Sequence, residues 1–426
     1  MISIGKPYIT EKGDRTELHA PVTISDDTAQ RFIEETSRLP NVSWLTACDY
    51  PPASWSEEGS SMWFAVPADY GKYMCCERSD AFVIAFFWYA MVTGSDISFE
   101  APISKKLYDG LTQKLIPALS GDGYGEIRLD GPLSDEPVWN ENGVVCGMSC
   151  GADAMYALHI YGGSNAPDDL KITHSSYYHA DYLFPYLDPP YDVDKIIEKS
   201  EQLYSRHTAE KARVIAGHHG LPLVEVWTNF DRDYYRGGLI YTGMYRFLCC
   251  TLALEHLFSA YIIASSVNGH NVQKTSLFVP TQHYEDLLCE SCGTESLRYI
   301  ISDHALRVDK LRKIADDPDF RKYVSVCSND TEDGKNCGEC FGCWKTMIPL
   351  DLLGKLDNFG ERFDLDRYNK ERSSVFEKMI RFSFRPEADA AREVVRQILD
   401  LADETDSDAA NMFIGVWESI NNNECA

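Results

Sequence analysis

Two groups of residues stand out for the chemistry they could do. In "VVCGMSCGADAMYALHIY", Val144 to Tyr161, an apolar run breaks at a knot of small residues and then takes up helical spacing. Ser149, Cys150, Gly151, Ala152 and Asp153 are thus expected between a buried strand and a helix start. A helix N-terminus offers unpaired N–H groups and the positive end of its dipole, which suits a phosphate. Small residues let an anion approach the backbone, and a carboxylate at Asp153 could hold a magnesium ion bridging phosphates. On spacing alone the simpler reading is a plain strand-to-helix turn capped by Ser149. The stretch matches neither the GxxxxGK[ST] nor the GxGxxG pattern.

The second group is "VCSNDTEDGKNCGECFGCWKT", which sets Cys327, Cys337, Cys340 and Cys343 as C-x9-C-x2-C-x2-C. Four thiolates so close can converge tetrahedrally on zinc, with glycines allowing tight knuckle turns. Such a site is closed, so a zinc there would be structural. An iron–sulfur cluster is the rival, because thiolates suit both. Cys289 and Cys292, in "CESC", could form half of another site, but the downstream four are already a complete set. Cys249 and Cys250 fall in an expected helix and read as packing residues.

Other candidates are weaker. Arg307 and Lys310, three apart on an expected helix, could share a face and meet phosphate, or simply face solvent. Arg246 is expected to open the helix before "IIASS", either as a surface charge or, as the family resemblance described below implies, near where relatives contact substrate or nucleotide. His174, Tyr177 and Tyr178 could line a nucleotide mouth or pack. His218 and His219 suggest a turn between helix and strand. His283, in "PTQHYEDLL", could face substrate from a loop. Nothing in the sequence points to a kinase or a dehydrogenase.

These residues need elements to position them. From Val144 onward, strand-like "GVVCGMS", "LKITHSSYY", "LPLVEVWTNF" and "SAYIIASS" alternate with helical segments. That alternation predicts a mostly parallel sheet with helices on both faces. Before it, "HAPVTIS" and "GEIRLDG" read as strands, and "SDAFVIAFFWYAM" and "SKKLYDGLTQKLIPALS" as helices opened by serine caps. Residues 1–138 are therefore expected to form a smaller α+β domain, 139–320 the α/β domain, and 321–426 a four-cysteine lobe with C-terminal helices.

Composition narrows the function. Against 40 Lys and Arg stand 66 Asp and Glu, a formal charge of −26 over 426 residues. That balance argues against a broad nucleic-acid face, although "RVDKLRK" leaves a local basic patch for a small phosphorylated ligand. The longest apolar stretch, from Ala81, is too short to span a membrane. The opening residues carry no basic segment followed by an apolar core, so no secretory signal is expected. A cytoplasmic location, with 14 cysteines as thiols or metal ligands, is the resulting expectation.

"MSCGADA" resembles the SGGxDS signature of the PP-loop (N-type) ATP pyrophosphatases, whose members include 7-cyano-7-deazaguanine synthases. Ser149, Gly151 and Asp153 match; Cys150 replaces the first glycine and Ala154 the final serine. Those synthases carry a similar zinc-holding cluster downstream of the loop, and the likeness covers roughly Val144 to Phe359. The resemblance implies an adenine nucleotide alpha hydrolase-like fold, ATP and Mg2+ at residues 149–153, and Zn2+ on the four cysteines. It also implies an AMP-forming ligase that adenylates a carboxylate or amide oxygen for attack by a nitrogen nucleophile. The substrate would be a small molecule such as a 7-deazapurine, or a peptide or protein. The short synthases lack a comparable leading domain, so that domain is expected to shape substrate access, recruit a partner protein or form a homodimer. Two rival readings are sulfur insertion into a nucleobase or tRNA, and a scaffold that binds nucleotide without turnover.

Overall fold

The computed structural model describes residues 1–36, 60–179, 206–235, 239–265, 284–327, 334–385 and 388–424. Among the described residues, eight strands precede Gly143: β1 (Ile2–Ile4), β2 (Tyr8–Lys12), β3 (Arg15–Ile24), β4 (Ser61–Pro67), β5 (Ile97–Phe99), β6 (Ile103–Ser104), β7 (Leu129–Asp130) and β8 (Leu133–Ser134). Five follow: β9 (Gly143–Gly147), β10 (His174–His179), β11 (Leu223–Thr228), β12 (Phe258–Ile263) and β13 (Arg298–Ile301).

The last five strands lie in the order β11-β10-β9-β12-β13, and every pair among them is parallel. The chain therefore starts in the centre, builds outward to one side, returns to the centre and builds to the other. The reversal falls between β9 and β12, where neighbouring connections leave on opposite faces, and it is at such a point that sheets of this kind form a ligand crevice beyond the strand ends. The turn holding Ser149 to Gly151 leaves β9 at that point. The α/β class and the mostly parallel sheet match expectation. Sequence reading did not separate out β4 or β13, and in "GEIRLDG" only Leu129–Asp130 is strand.

The same sheet continues into the N-terminal region. β11 pairs antiparallel with β4, Trp227 opposite Ala65 and Thr228 opposite Phe64, and the order runs on through β3, β1, β5 and β7. Alternate residues of a strand face opposite sides, and the two apolar cores divide accordingly. Val145, Tyr261 and Ile263 join the core of the N-terminal region, whereas Val144, Cys146, Ala260 and Ile262 join a second core on the other face.

Helix Asp80–Thr93 is buried at all 14 positions. A helix apolar all round must be enclosed, and this one packs against helix Leu239–Leu252. Ser79 makes no side-chain capping bond there, contrary to expectation; Ser104 does cap its helix, accepting from the Leu107 N–H at 3.0 Å. On the opposite face, helices Ala152–Tyr161, Arg307–Ile314 and Phe341–Leu352 pack with three C-terminal helices, Leu365–Ser383, Asp389–Glu404 and Asp408–Glu424. No helix among the described residues is long and apolar enough to cross a membrane.

Candidate functional site

The turn after β9 keeps its backbone open. Cys150 has φ 58°, the left-handed region that costs an L-residue energy and usually selects glycine. Its side chain points into the core, fully buried, with Sγ 3.9 Å from the Thr208 carbonyl. Burial pushes the Cys150 thiol up to about 12. The side chain therefore leaves the mouth of the turn clear. Gly151 caps helix Ala152–Tyr161 and brings no side chain to its first turn. The exposed Ser149 hydroxyl makes only a long contact, 3.4 Å, with the Gly151 N–H. A Cβ at Gly151 would sit 3.3 Å from that hydroxyl oxygen. Ala154 is buried.

Asp153 lies in the first turn and meets two cations from helix Arg307–Ile314. Arg307 Nη1 donates to Oδ2 at 2.7 Å and Lys310 Nζ to Oδ1 at 3.2 Å. Arg307 and Lys310 are only 8% and 3% exposed, so the solvated-face reading of this pair is wrong. Their spacing of three does put both on one helix face, and that face is inward. Burial alone would raise the Asp153 carboxyl, but Arg307 and Lys310 outweigh it and hold it below the usual range. Lys310 also donates to the Ser265 carbonyl at 2.5 Å, just past β12. One ammonium thus ties both sides of the crevice together. The Tyr156 hydroxyl donates to Asp303 Oδ2 at 2.7 Å, fastening the turn's helix to the segment before Arg307.

Two further groups, neither evident in the sequence, complete the surroundings. Lys345 is pushed down to about 8 by burial and then by Arg307, with Asp153 pulling the other way. Glu285, buried and hydrogen-bonded to Ser265, is pushed up to about 7 by burial, with Asp153 adding to the rise. Three cations therefore face one firmly ionised carboxylate and one carboxyl that titrates near neutrality. In a chain of charge −26, this is a local reversal of sign that suits an anion.

The four cysteines converge. Cys327, Cys337, Cys340 and Cys343 bring their sulfurs within 4.8 Å of one another. The Cys340–Cys343 separation is 3.5 Å, and Cys337–Cys343 and Cys327–Cys340 are 3.9 Å. Tetrahedral zinc with bonds of about 2.3 Å places its sulfurs about 3.8 Å apart, so the group could hold such an ion. Backbone N–H groups already point at sulfur: Cys337 to Cys327 at 3.2 Å and Glu339 to Cys337 at 3.4 Å. Gly338 takes φ 73° to make the knuckle, and Trp344 Nε1 donates to its carbonyl at 3.2 Å. Helix Phe341–Leu352 starts at this cluster and carries Lys345 one turn on. The Ser325 N–H donates to the Cys150 carbonyl at 2.9 Å, so the cysteine lobe braces the turn directly.

Other candidates fall elsewhere. His174 begins β10, in register with Val145, roughly 13 Å upstream of Ser149 at about 3.3 Å per residue. It packs on Phe258 at the amino end of β12, away from the turn, so it does not line the mouth. The reason is strand polarity: parallel strands gather ligands at their carboxyl ends, and His174 is at an amino end. Tyr177 and Tyr178 are buried within the strand. Arg246 does not open its helix; it is buried midway along Leu239–Leu252, beside residues of the N-terminal core. His218 and His219 both face Asp319, at 2.7 and 3.5 Å. Cys249, Cys250 and Cys292 are core residues. His283 lies outside the described residues.

Comparison of the chain with protein-family models, with characterised proteins and with solved structures found no match.

Proposed function

We propose that the chain is an ATP-dependent, AMP-forming ligase that works at the turn after β9, as its resemblance to the PP-loop ATP pyrophosphatases implies. The observation that carries this reading is the set of cations, Arg307, Lys310 and Lys345, gathered at a helix start that no side chain caps, beside a topological reversal. A single carboxylate does not call for three cations, whereas a polyphosphate does. The backbone N–H groups of residues 151–153 would hold the pyrophosphate, with Lys310 and Lys345 neutralising it. Each Asp153 oxygen retains a further lone pair, so magnesium arriving with ATP can share it with Arg307 and Lys310.

The reaction would join a substrate carboxylate or amide oxygen to the α-phosphorus as the bond to pyrophosphate breaks. A nitrogen nucleophile would then attack the adenylated carbon, forming its bond as AMP departs and giving up a proton. Glu285, titrating near neutrality, is placed to accept that proton. The four-cysteine group fits zinc, held by Cys327, Cys337, Cys340 and Cys343 with no open position. Its contribution would be to order the segment that carries Ser325 and Lys345. The acceptor is a small molecule, or a peptide or protein admitted by the N-terminal region.

The test is pyrophosphate release from Mg–ATP across a panel of carboxylate and amide acceptors, with equilibrium nucleotide binding in parallel. Acceptor-dependent release, lost at least a hundredfold in Lys345→Ala, supports the ligase. ATP binding without turnover would replace it by the scaffold reading, for which the missing hydroxyl at Ala154 speaks. No ATP binding at all would overturn both.

A further inference from the structure

A second constellation lies far along the chain from the first, where the N-terminal region meets the turn after helix Leu239–Leu252. Cys75, Glu77 and His256 bring a sulfur, a carboxylate oxygen and an imidazole nitrogen within 4.8 Å of one another. Glu77 Oε1 is 2.8 Å from His256 Nε2. The Trp139 carbonyl accepts from His256 Nδ1 at 2.7 Å. That bond keeps a proton on Nδ1, so Nε2 is the nitrogen that can bind a metal once the proton it shares with Glu77 has left, as metal-bound histidines are held by a backbone carbonyl on their other nitrogen.

The surroundings are rich in buried carboxyl groups. Glu255 and Asp80, each 1% exposed, adjoin Cys75. Glu255 Oε2 and Asp80 Oδ2 have no hydrogen-bond partner. Their other oxygens accept from the Thr294 hydroxyl and from the Ser104 N–H. Arg78 offsets them only through the field, because its guanidinium donates to the backbone carbonyls of Ser134 and Glu136. Buried carboxylates left this way are costly unless a cation joins them.

We propose that Cys75, Glu77 and His256 form a second metal site, distinct from the four-cysteine cluster, that takes Zn2+ or a similar divalent transition ion. One thiolate, one imidazole and one carboxylate are a donor set that zinc accepts, and three protein ligands leave a fourth position open. Binding displaces the proton shared by His256 and Glu77 and the proton of the Cys75 thiol, both of which pass to solvent. Glu255 and Asp80 stabilise the bound ion through the field rather than as direct ligands. With an open position and a half-exposed Glu77, this site exchanges metal faster than the closed cluster.

The experiment is metal analysis of the full chain after zinc loading and gel filtration, together with cobalt titration followed by thiolate-to-cobalt absorption. Wild type is expected to hold about one more equivalent of zinc than His256→Gln or Cys75→Ser, and Cys340→Ser to lose the other equivalent independently. Glu77→Gln, a conservative change at a half-exposed side chain, should weaken the second equivalent at least tenfold while leaving the first unchanged. Should Cys75→Ser fail to fold, His256→Gln and Glu77→Gln decide the matter. Equal metal content in wild type, His256→Gln and Glu77→Gln would overturn the proposal.

Discussion

At the scale of single residues, the site depends on charges that are buried together and so must balance. Removing one partner of a buried ion pair leaves the other without solvent or counterion, at a cost of about 3–5 kcal/mol. Lys310→Met should lower stability toward the lower end of that range, because Asp153 keeps Arg307 and some exposure; urea unfolding measures it. Glu285 behaves in the opposite sense. Its folded carboxyl is raised from about 4.5 to about 7, so between those values the folded state binds more protons than the unfolded one. Stability attributable to Glu285 therefore falls as pH rises from about 4.5 to about 7 and stays low above that. Glu285→Gln should flatten this slope and raise the melting temperature at pH 8 relative to wild type. Asp153 has the contrary linkage: its carboxyl is depressed, so its contribution is full above the ordinary carboxylate range and is lost as pH falls below it.

At the scale of elements, the turn after β9 and the cysteine lobe are one mechanical unit. The Cys150 carbonyl is held by Ser325, two residues before Cys327, and Lys345 follows Cys343 on the same helix. Disturbing the lobe should therefore disturb anion binding without touching the turn. Gly338→Val forces a β-branched side chain into φ 73°, at about 1–2 kcal/mol. It should lower both thermal stability and affinity for pyrophosphate, as calorimetry would read. Stripping metal with a strong thiol-competing chelator should have the same paired effect, and larger.

At the scale of the molecule, one sheet serves both halves. β4 closes onto β11, and helix Asp80–Thr93 inserts between the N-terminal strands and helix Leu239–Leu252. A chain beginning at residue 139 would leave an edge strand and a wide apolar face uncovered. Expressed alone it is expected to aggregate, whereas the full chain stays dispersed; sedimentation of the two distinguishes them. The N-terminal region thus shares its core with the parallel half of the sheet instead of standing apart as an appendage.

Local rules made much of this readable from residues. The periodicity from Val144 marked the alternating strands and helices, because side-chain spacing reports which face is buried. The C-x9-C-x2-C-x2-C spacing announced a closed thiolate group, because ligands near in sequence converge with little help from the fold. Arg307 and Lys310 could be placed on one helix face by their interval of three. Which way that face turned was decided only by packing, as was the misplacement of His174, whose position depends on strand direction and not on composition. Lys345 and Glu285 carry no local mark, since what makes them notable is proximity to Asp153 across the crevice. His256 lies about 180 residues beyond Cys75 and Glu77 in the chain, and no pattern along a sequence records a meeting of that kind. Short-range geometry is written in neighbouring residues; electrostatic company is set by the fold.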